Sequence, residues 1–267
     1  DSTGRVIWRK NILDDTGATN IQWGMSTSPL VFDRKVVVQP GATGGRSVVA
    51  YDVDTGERVW SALDDRTSYA SPMHVTLAGV PQILVTTASR LVSLAPDSGT
   101  LLWETPWVTP YDINAAQPVV ISANRVFYSS GSGVGAAVFE FSVADGRWRV
   151  QEVWRNIRMK NQFSSSVLVD GHLYGLDENI LACVDAASGQ PKWKGGRYGY
   201  GQLIRAGDRL IVQTEDGDLV LVRATPTGHQ ELGKFSAIPG KSWNVPSLAD
   251  GILIVRNTTE MAAFDVK

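Results

Sequence analysis

Short apolar stretches separated by turn residues recur along the whole chain. Ser28-Pro29, Ser71-Pro72 and Val245-Pro246 each open such a stretch. A turn follows, and then a β-branched run such as Val36-Val37-Val38 or Leu210-Ile211-Val212. Runs of this length and composition, bounded by turn residues, predict short β-strands. Because no long segment keeps a 3.6-residue apolar period, helices are expected to be nearly absent.

A glycine turn followed by a tryptophan marks each repeat. The fullest copy runs from Ala50 to Trp60, and in it Gly56 precedes Trp60 by four residues. Two degenerate copies place Gly146 before Trp154, with Trp148 as an alternative, and Gly228 before Phe235. The glycines of the six copies are Gly4, Gly56, Gly99, Gly146, Gly189 and Gly228.

Each repeat holds four strands, which we term A to D in chain order. Repeats of about 40 to 50 residues with four strands predict an all-β fold, a six-bladed β-propeller of four-stranded antiparallel blades. One domain over residues 1–267 is expected. Residues 263–267 match residues 50–54 and stop before the turn, so residues 4–10 are expected to complete the last blade and close the ring.

The repeat tryptophans are interpreted as structural. Glycine suits the positive-φ position of the C-to-D turn, and each indole should lie between neighbouring blades with its N–H on a hydrogen-bond acceptor. These residues are Trp8, Trp60, Trp103, Trp154 and Trp193.

The pattern Ala-x-Asp-x-x-Thr-Gly-x-x-x-Trp at residues 50–60, nearly repeated at 183–193, resembles the tryptophan-docking motif of the pyrroloquinoline quinone (PQQ) repeat superfamily. That superfamily contains quinoprotein dehydrogenases and also non-catalytic propellers, such as the lipoprotein of the outer-membrane barrel-assembly machinery. The resemblance implies a propeller, whereas function must be argued from a site.

Departures from the dehydrogenase pattern favour the non-catalytic branch. Family dehydrogenases usually have eight blades, a calcium ion beside the quinone and adjacent cysteines. This chain has about six repeats and one cysteine, Cys183, which we interpret as a buried residue of strand C. No catalytic residue is therefore assigned.

Composition excludes several classes of function. The chain has 267 residues, is 43% hydrophobic and 19% charged, and carries a formal net charge of −2. Scattered basic residues argue against nucleic-acid binding, and no apolar run reaches the ~20 residues of a membrane helix. We expect a soluble protein, or the mature or excised part of a longer one. Its three histidines lack ligand spacing for a metal.

A binding face is predicted on the D-to-A and B-to-C loops, which lie together at one end of a propeller. Aromatic and amide side chains recur there and suit recognition of a peptide or a sugar. The alternative is that they only plug the channel. The predicted face consists of Trp23, Tyr69, Asn114, Gln162, Tyr200 and Trp243.

Two other loop segments carry residue types that bind ions. Acidic B-to-C tips, with Glu178 and Asp216 foremost, offer oxygen ligands for calcium, although their spacing fits no established calcium loop. The segment 130–135 is glycine-rich but lacks the helix and the Lys-Ser or Lys-Thr pair of a phosphate loop. Solvated hairpin tips are the simpler interpretation of both.

The leading hypothesis is a non-catalytic binding scaffold or sensor module that recognises a protein or peptide partner, without a cofactor and as a monomer. The family resemblance implies a periplasmic or extracellular location. The alternatives are a PQQ- and calcium-dependent dehydrogenase acting on an alcohol or sugar, and a carbohydrate-binding propeller.

Overall fold

The computed structural model describes residues 3–267, and Asp1 and Ser2 lie outside the described residues. It is an all-β structure of six antiparallel sheets, consistent with a β-propeller. Its helices are a five-residue α-helix, α1 (Ile12–Thr16), and one 3-10 turn, Pro110–Asp112. None of the helices in the described residues is long and apolar enough to cross a membrane.

The strands follow one another in chain order within every sheet. The first sheet is β1 (Leu30–Phe32), β2 (Lys35–Val38), β3 (Val48–Asp52) and β4 (Arg58–Ala62). The second is β5 (Met73–Leu77), β6 (Val80–Thr86), β7 (Arg90–Leu94) and β8 (Leu101–Pro106). The third is β9 (Val119–Ser122), β10 (Arg125–Ser130), β11 (Gly135–Ala144) and β12 (Arg147–Asn156).

The remaining strands form the last three sheets. The fourth sheet is β13 (Val167–Val169), β14 (His172–Asp177), β15 (Ile180–Asp185) and β16 (Pro191–Arg197). The fifth is β17 (Gln202–Ala206), β18 (Arg209–Gln213), β19 (Asp218–Arg223) and β20 (Glu231–Ser236). The sixth is β21 (Ser247–Ala249), β22 (Ile252–Arg256) and β23 (Met261–Asp265).

The chain divides into two compact units, which we describe separately. The first unit comprises residues up to 117, 122–125 and 140–151 and contains the first two sheets. The second comprises 118–121, 126–139 and 152–267 and contains the last three. The third sheet contributes residues to both units. The expectation of one domain over 1–267 stays a prediction.

Burial explains why the middle strands have continuous apolar runs. Val37, Ala50, Ile83 and Val92 of the first two sheets share one core, with each side chain inaccessible to solvent. Because a strand packed on both faces has no solvent side, it loses the alternation of a half-exposed strand. Outer strands such as β12 keep that alternation.

Cys183 lies in such a core, in the second unit. It is fully buried and pairs with Tyr174 on β14 and Trp193 on β16. Burial raises the pKa of its thiol to about 11. The interpretation of Cys183 as a core residue of strand C is confirmed.

Four repeat tryptophans donate their indole N–H to a backbone carbonyl of a repeat turn elsewhere in the chain. The Trp60 indole donates to Pro96 O at 3.0 Å, and a Cβ added to Gly99 would lie 2.6 Å from its ring. Trp154 donates to Ala186 O at 3.1 Å. Trp8 and Trp193 donate in the same way to Val53 O and Thr225 O, both at 2.8 Å.

Trp103 has a different partner. Its indole donates to Gln82 Oε1 of the same sheet at 2.7 Å, and its ring centroid lies 4.2 Å from that of Phe141. The fourth repeat turn, at Gly146, has no neighbouring atom within 4 Å of an added Cβ.

The prediction that residues 4–10 form the outer strand of the last sheet is wrong for the structure described. Those residues contain no strand, and the sixth sheet has three strands. Trp8 is instead anchored on the turn after β3, where an added Cβ on Gly56 would lie 2.8 Å from its ring. This contact holds the segment without requiring strand hydrogen bonds.

Candidate functional site

In the first unit, two predicted aromatic residues lie together. Trp23 is 57% exposed, and its ring centroid is 5.9 Å from that of Tyr69, with the planes tilted by 56°. Tyr69 belongs to the loop after β4, and its backbone N–H donates to Asn114 O at 3.1 Å. The loop backbone therefore fixes the position of the Tyr69 ring.

Asn114 is fully buried and ties loop segments together. Its side-chain amide donates to Thr87 O at 3.0 Å and to Ala88 O at 3.3 Å. Its backbone N–H donates to Ser68 Oγ at 2.7 Å. A buried amide that satisfies backbone carbonyls stabilises the loops next to Tyr69.

In the second unit, three rings form what we term the aromatic patch: Phe163, Tyr200 and Trp243. The centroid of Phe163 lies 5.4 Å from that of Tyr200 and 4.8 Å from that of Trp243, and both pairs are tilted. Trp243 is 43% exposed, and the other two rings are half-buried. These are the separations and tilts at which aromatic pairs attract.

Glu215 holds two parts of this patch with one carboxylate. Its Oε1 accepts the Trp243 indole N–H at 2.9 Å, and its Oε2 accepts the Tyr200 backbone N–H at 3.2 Å. Lys241 Nζ lies 4.2 Å from the Trp243 ring centroid, a cation–π distance. The patch is therefore a fixed apolar surface with charged groups at its edge.

Gln162 precedes the patch residue Phe163 and packs against the glycine-rich loop of the second unit. A Cβ added to Gly131 would lie 2.6 Å from Gln162 Oε1, so the two loops approach closely at this point. The backbone carbonyl of Phe163 accepts the side-chain amide of Gln202 at 2.8 Å. These contacts position the loop that carries Phe163.

The acidic tips are largely occupied by internal contacts. The carboxylate of Asp177, buried at the end of β14, forms ion pairs with Lys160 and, at 2.5 Å, with Lys194. Glu178 donates its backbone N–H to Lys160 O at 2.9 Å, and Asp216 is exposed. Among residues 3–267, no group of three or more His, Cys, Asp or Glu residues is arranged to hold a metal.

A cleft of about 390 Å³ lies in the first unit and was not singled out from the sequence. We term it the charged cleft, after its charged lining residues Asp64, Asp65, Arg66, Arg90 and Asp112. The run Asp64-Asp65-Arg66, directly after β4, was a signal that would have located it. Phe163 and Glu215 also lie in loops, and their contacts with Trp243 depend on segments that are distant in sequence.

Comparisons with known proteins agree with the family and the fold that the repeat indicates. The family model described as outer membrane protein assembly factor BamB matches residues 1–195. BamB from Moraxella catarrhalis superposes with a TM-score of 0.54 at 12% identity, covering 90% of this chain and 84% of that chain. A europium-containing methanol dehydrogenase gives 0.58 at 10% identity, with 91% and 67% covered. No curated protein gave a significant match. At these identities, the structural similarities establish the fold alone.

Proposed function

Because this chain belongs to the BamB-like family of PQQ-repeat proteins, we propose that it is a non-catalytic scaffold that binds a segment of a protein partner at the aromatic patch. The observation that carries the proposal is the fixed trio of Phe163, Tyr200 and Trp243. The family resemblance inferred from the sequence is confirmed, and partner binding is our inference from the site.

The chemistry of the patch favours an apolar side chain of an extended peptide. Aromatic rings provide a large contact area at low entropic cost, and such residues dominate interface energies. Both carboxylate oxygens of Glu215 already accept hydrogen bonds from the patch, so Glu215 orients the Trp243 ring and holds the backbone at Tyr200. Lys241 at the edge adds one positive charge that an acidic flanking residue of the partner would meet.

The contacts of the acidic tips support a scaffold over a dehydrogenase. Asp177 is neutralised by Lys160 and Lys194, and Glu215 is bound to Trp243 and Tyr200. Carboxylates paired in this way hold loops in place. The proposal accordingly includes no PQQ and no calcium ion.

The proposal also covers architecture and location. The six sheets are taken as the six blades of a β-propeller, with the repeat tryptophans docking on the turns. The protein is a monomer in the periplasm or outside the cell, where the BamB-like family implies a partner at the outer membrane.

The test is selection of binding peptides from a random displayed library, followed by affinity measurement on variants. Replacing Tyr200 and Trp243 together by Ala should weaken the selected peptides by more than about tenfold, since interface aromatics commonly contribute 1.4 kcal/mol or more. The matched control is Phe235→Ala, which removes a half-exposed ring on β20, outside the patch. Circular dichroism should show all variants folded.

Other outcomes discriminate between the alternatives. Selected peptides that bind the double variant as tightly as the wild type would contradict the proposed site. Saturable, calcium-dependent quenching of tryptophan fluorescence by PQQ would favour a quinoprotein dehydrogenase. Saturable binding to a glycan array, lost in the same double variant, would favour a carbohydrate-binding propeller.

A further inference from the structure

The side chain of Lys241 covers one face of Trp243 in the aromatic patch. Its Nζ lies 4.2 Å from the Trp243 ring centroid, and Lys241 is exposed. The ring attracts an ammonium group through its charge distribution, and at an exposed site this attraction is weak. One face of the ring that the proposed function offers to a partner is therefore occupied by the protein's own lysine.

The positive charge of Lys241 has no carboxylate beside it. Among residues 3–267, no Asp or Glu lies within ion-pair distance of Lys241, and both carboxylate oxygens of Glu215 accept hydrogen bonds from Trp243 and Tyr200. The lysines that precede it in the chain each pair with an aspartate: Lys10, Lys35, Lys160, Lys192, Lys194 and Lys234. The exposed charge at the patch is thus positive and has no counterpart within the described residues.

The backbone on both sides of Lys241 is held by hydrogen bonds. Ser242 is fully buried, and its N–H donates to Glu215 O at 2.8 Å. On the other side, Pro239 O accepts the side-chain amide of Asn257 at 2.5 Å. A long side chain on a fixed backbone changes its contacts by rotation about its own bonds. Lys241 therefore leaves the Trp243 ring without a movement of the loop.

We propose that Lys241 determines the specificity of the aromatic patch: it leaves the Trp243 ring when a partner binds and pairs with a carboxylate of that partner. This inference rests on the proposed function and adds the chemistry of the partner. Side chains two residues apart point to the same face of an extended peptide, about 7 Å apart along the chain. The partner segment accordingly carries an Asp or Glu two residues from the apolar side chain that packs on the rings.

Neutral and basic segments are disfavoured at the same place. Their apolar side chain also displaces the ammonium group from the ring, and without a carboxylate the lost cation–π contact is not replaced. A lysine in the partner would in addition lie close to a like charge. An acidic segment is preferred because a new ion pair replaces the contact with Trp243.

The test is a titration of the full chain with acetyl-Phe-Gly-Glu-amide and with its Gln and Lys counterparts, followed by amide and indole chemical shifts. The Glu peptide should bind at least about threefold more tightly than the Gln peptide, and the Lys peptide more weakly than either. In the free protein, the Trp243 ring shifts the side-chain signals of Lys241 upfield. These signals should move to ordinary lysine values as the Glu peptide binds.

Two variants complete the design. In Lys241→Gln, which lacks the charge, the affinities for the Glu and Gln peptides should agree within about twofold. The matched control is Lys234→Gln on β20, which removes a lysine that pairs with Asp218 at 2.7 Å, outside the patch. This control should keep the preference for the Glu peptide.

Several results would overturn the inference. They are equal binding of the Glu and Gln peptides, an unchanged preference in Lys241→Gln, Lys241 signals that do not move, and no saturable binding up to millimolar concentrations. Tighter binding of the Lys peptide would overturn it as well, since the Trp243 face would then take a cation from the partner. Failure of the proposed function looks different, because peptides would then bind the Tyr200→Ala, Trp243→Ala double variant as tightly as the wild type.

Discussion

At the scale of single residues, three of the six repeat glycines, Gly56, Gly99 and Gly189, lie directly against a tryptophan ring. Gly99 has a φ of +69°, and a Cβ placed on it would lie 2.6 Å from Trp60 Cε3. Glycine is needed there for two separate reasons, the left-handed backbone and the close approach of the indole. Many other positive-φ glycines, such as Gly79, meet only the first condition, since an added Cβ has no neighbour within 4 Å.

Replacement of Gly99 by alanine should therefore cost more stability than replacement of Gly79. Gly99→Ala should lower the free energy of unfolding by about 2–4 kcal/mol, because it adds overpacking against Trp60 to the backbone strain. Gly79→Ala should cost only about 1 kcal/mol, from the backbone alone. Urea denaturation monitored by fluorescence measures both. Equal losses in the two variants would show that Trp60 does not press on the turn.

At the scale of elements, an aspartate organises the hairpin turn between β15 and β16. Asp185 Oδ1 accepts the Ser188 hydroxyl at 2.8 Å and the backbone N–H groups of Ser188 and Ala187 at 2.9 and 3.1 Å. The Ser188 hydrogen bond, opposed in part by burial, holds the pKa of Asp185 below its ordinary 3.8. A carboxylate with a lowered pKa stabilises the folded state above pH 3.8, and this stabilisation is lost as the pH falls through the folded-state pKa.

Because the pKa of Asp185 is lowered on folding, its contribution to the stability of the turn should depend on pH. Asp185→Asn keeps an acceptor but not the charge, and should cost about 1 kcal/mol of unfolding free energy at pH 7. The variant and the wild type should converge as the pH falls through the folded-state pKa of Asp185, since below it the carboxylate is protonated in both states. Urea denaturation across this pH range provides the measurement.

The control for the turn is Asp97→Asn in the hairpin between β7 and β8. The Asp97 side chain is 88% exposed and has one ion pair, with Lys35 at 3.3 Å. Its loss should cost less than about 0.5 kcal/mol at any pH. A difference for Asp185→Asn that stays constant from pH 7 to low pH would refute the assignment to charge.

At the scale of the whole molecule, burial is unequal along the chain. Strands β6 and β7 of the second sheet are buried along almost their whole length. In the sixth sheet, β22 and β23 alternate with exposed residues, and Ile252, Ile254 and Met261 are exposed by 37%, 38% and 69%. Repeat proteins gain stability from the contacts between neighbouring units, so a less covered sheet opens more readily.

Hydrogen exchange should therefore be faster in the sixth sheet than in the second. Amides of residues 253–255 and 262–264 should exchange at least about tenfold faster than those of 83–86 and 91–94, since local opening free energies follow buried contacts. Mass spectrometry of exchanged peptides measures this directly. Uniform protection across both sheets would contradict the inferred gradient.

The sequence predicted strands and turns well because their signals are local. Glycine at Gly99 and Gly189 and the β-branched runs report the backbone conformation of a few adjacent residues, and the strands formed where those runs lie. The prediction for residues 4–10 failed because strand pairing requires a partner, and the anchoring of Trp8 on the Gly56 turn satisfied the segment differently. The similarity of residues 263–267 to residues 50–54 does not show whether residues 4–10 pair as a strand or are held through Trp8.

In the candidate sites, too, local sequence signals predicted some residues, and long-range contacts decided the others. The repeat places Tyr200 and Trp243 in loops of the predicted binding face. The contribution of Phe163 and Glu215 depends instead on contacts with Trp243 that join loops distant in sequence. The repeat, its all-β character and the family were thus determined by the sequence itself, since turn chemistry and period act within each repeat. Only the tertiary structure decided which carboxylates are neutralised by lysine and which, like Asp64, keep an open acceptor, because long-range contacts set charge pairing.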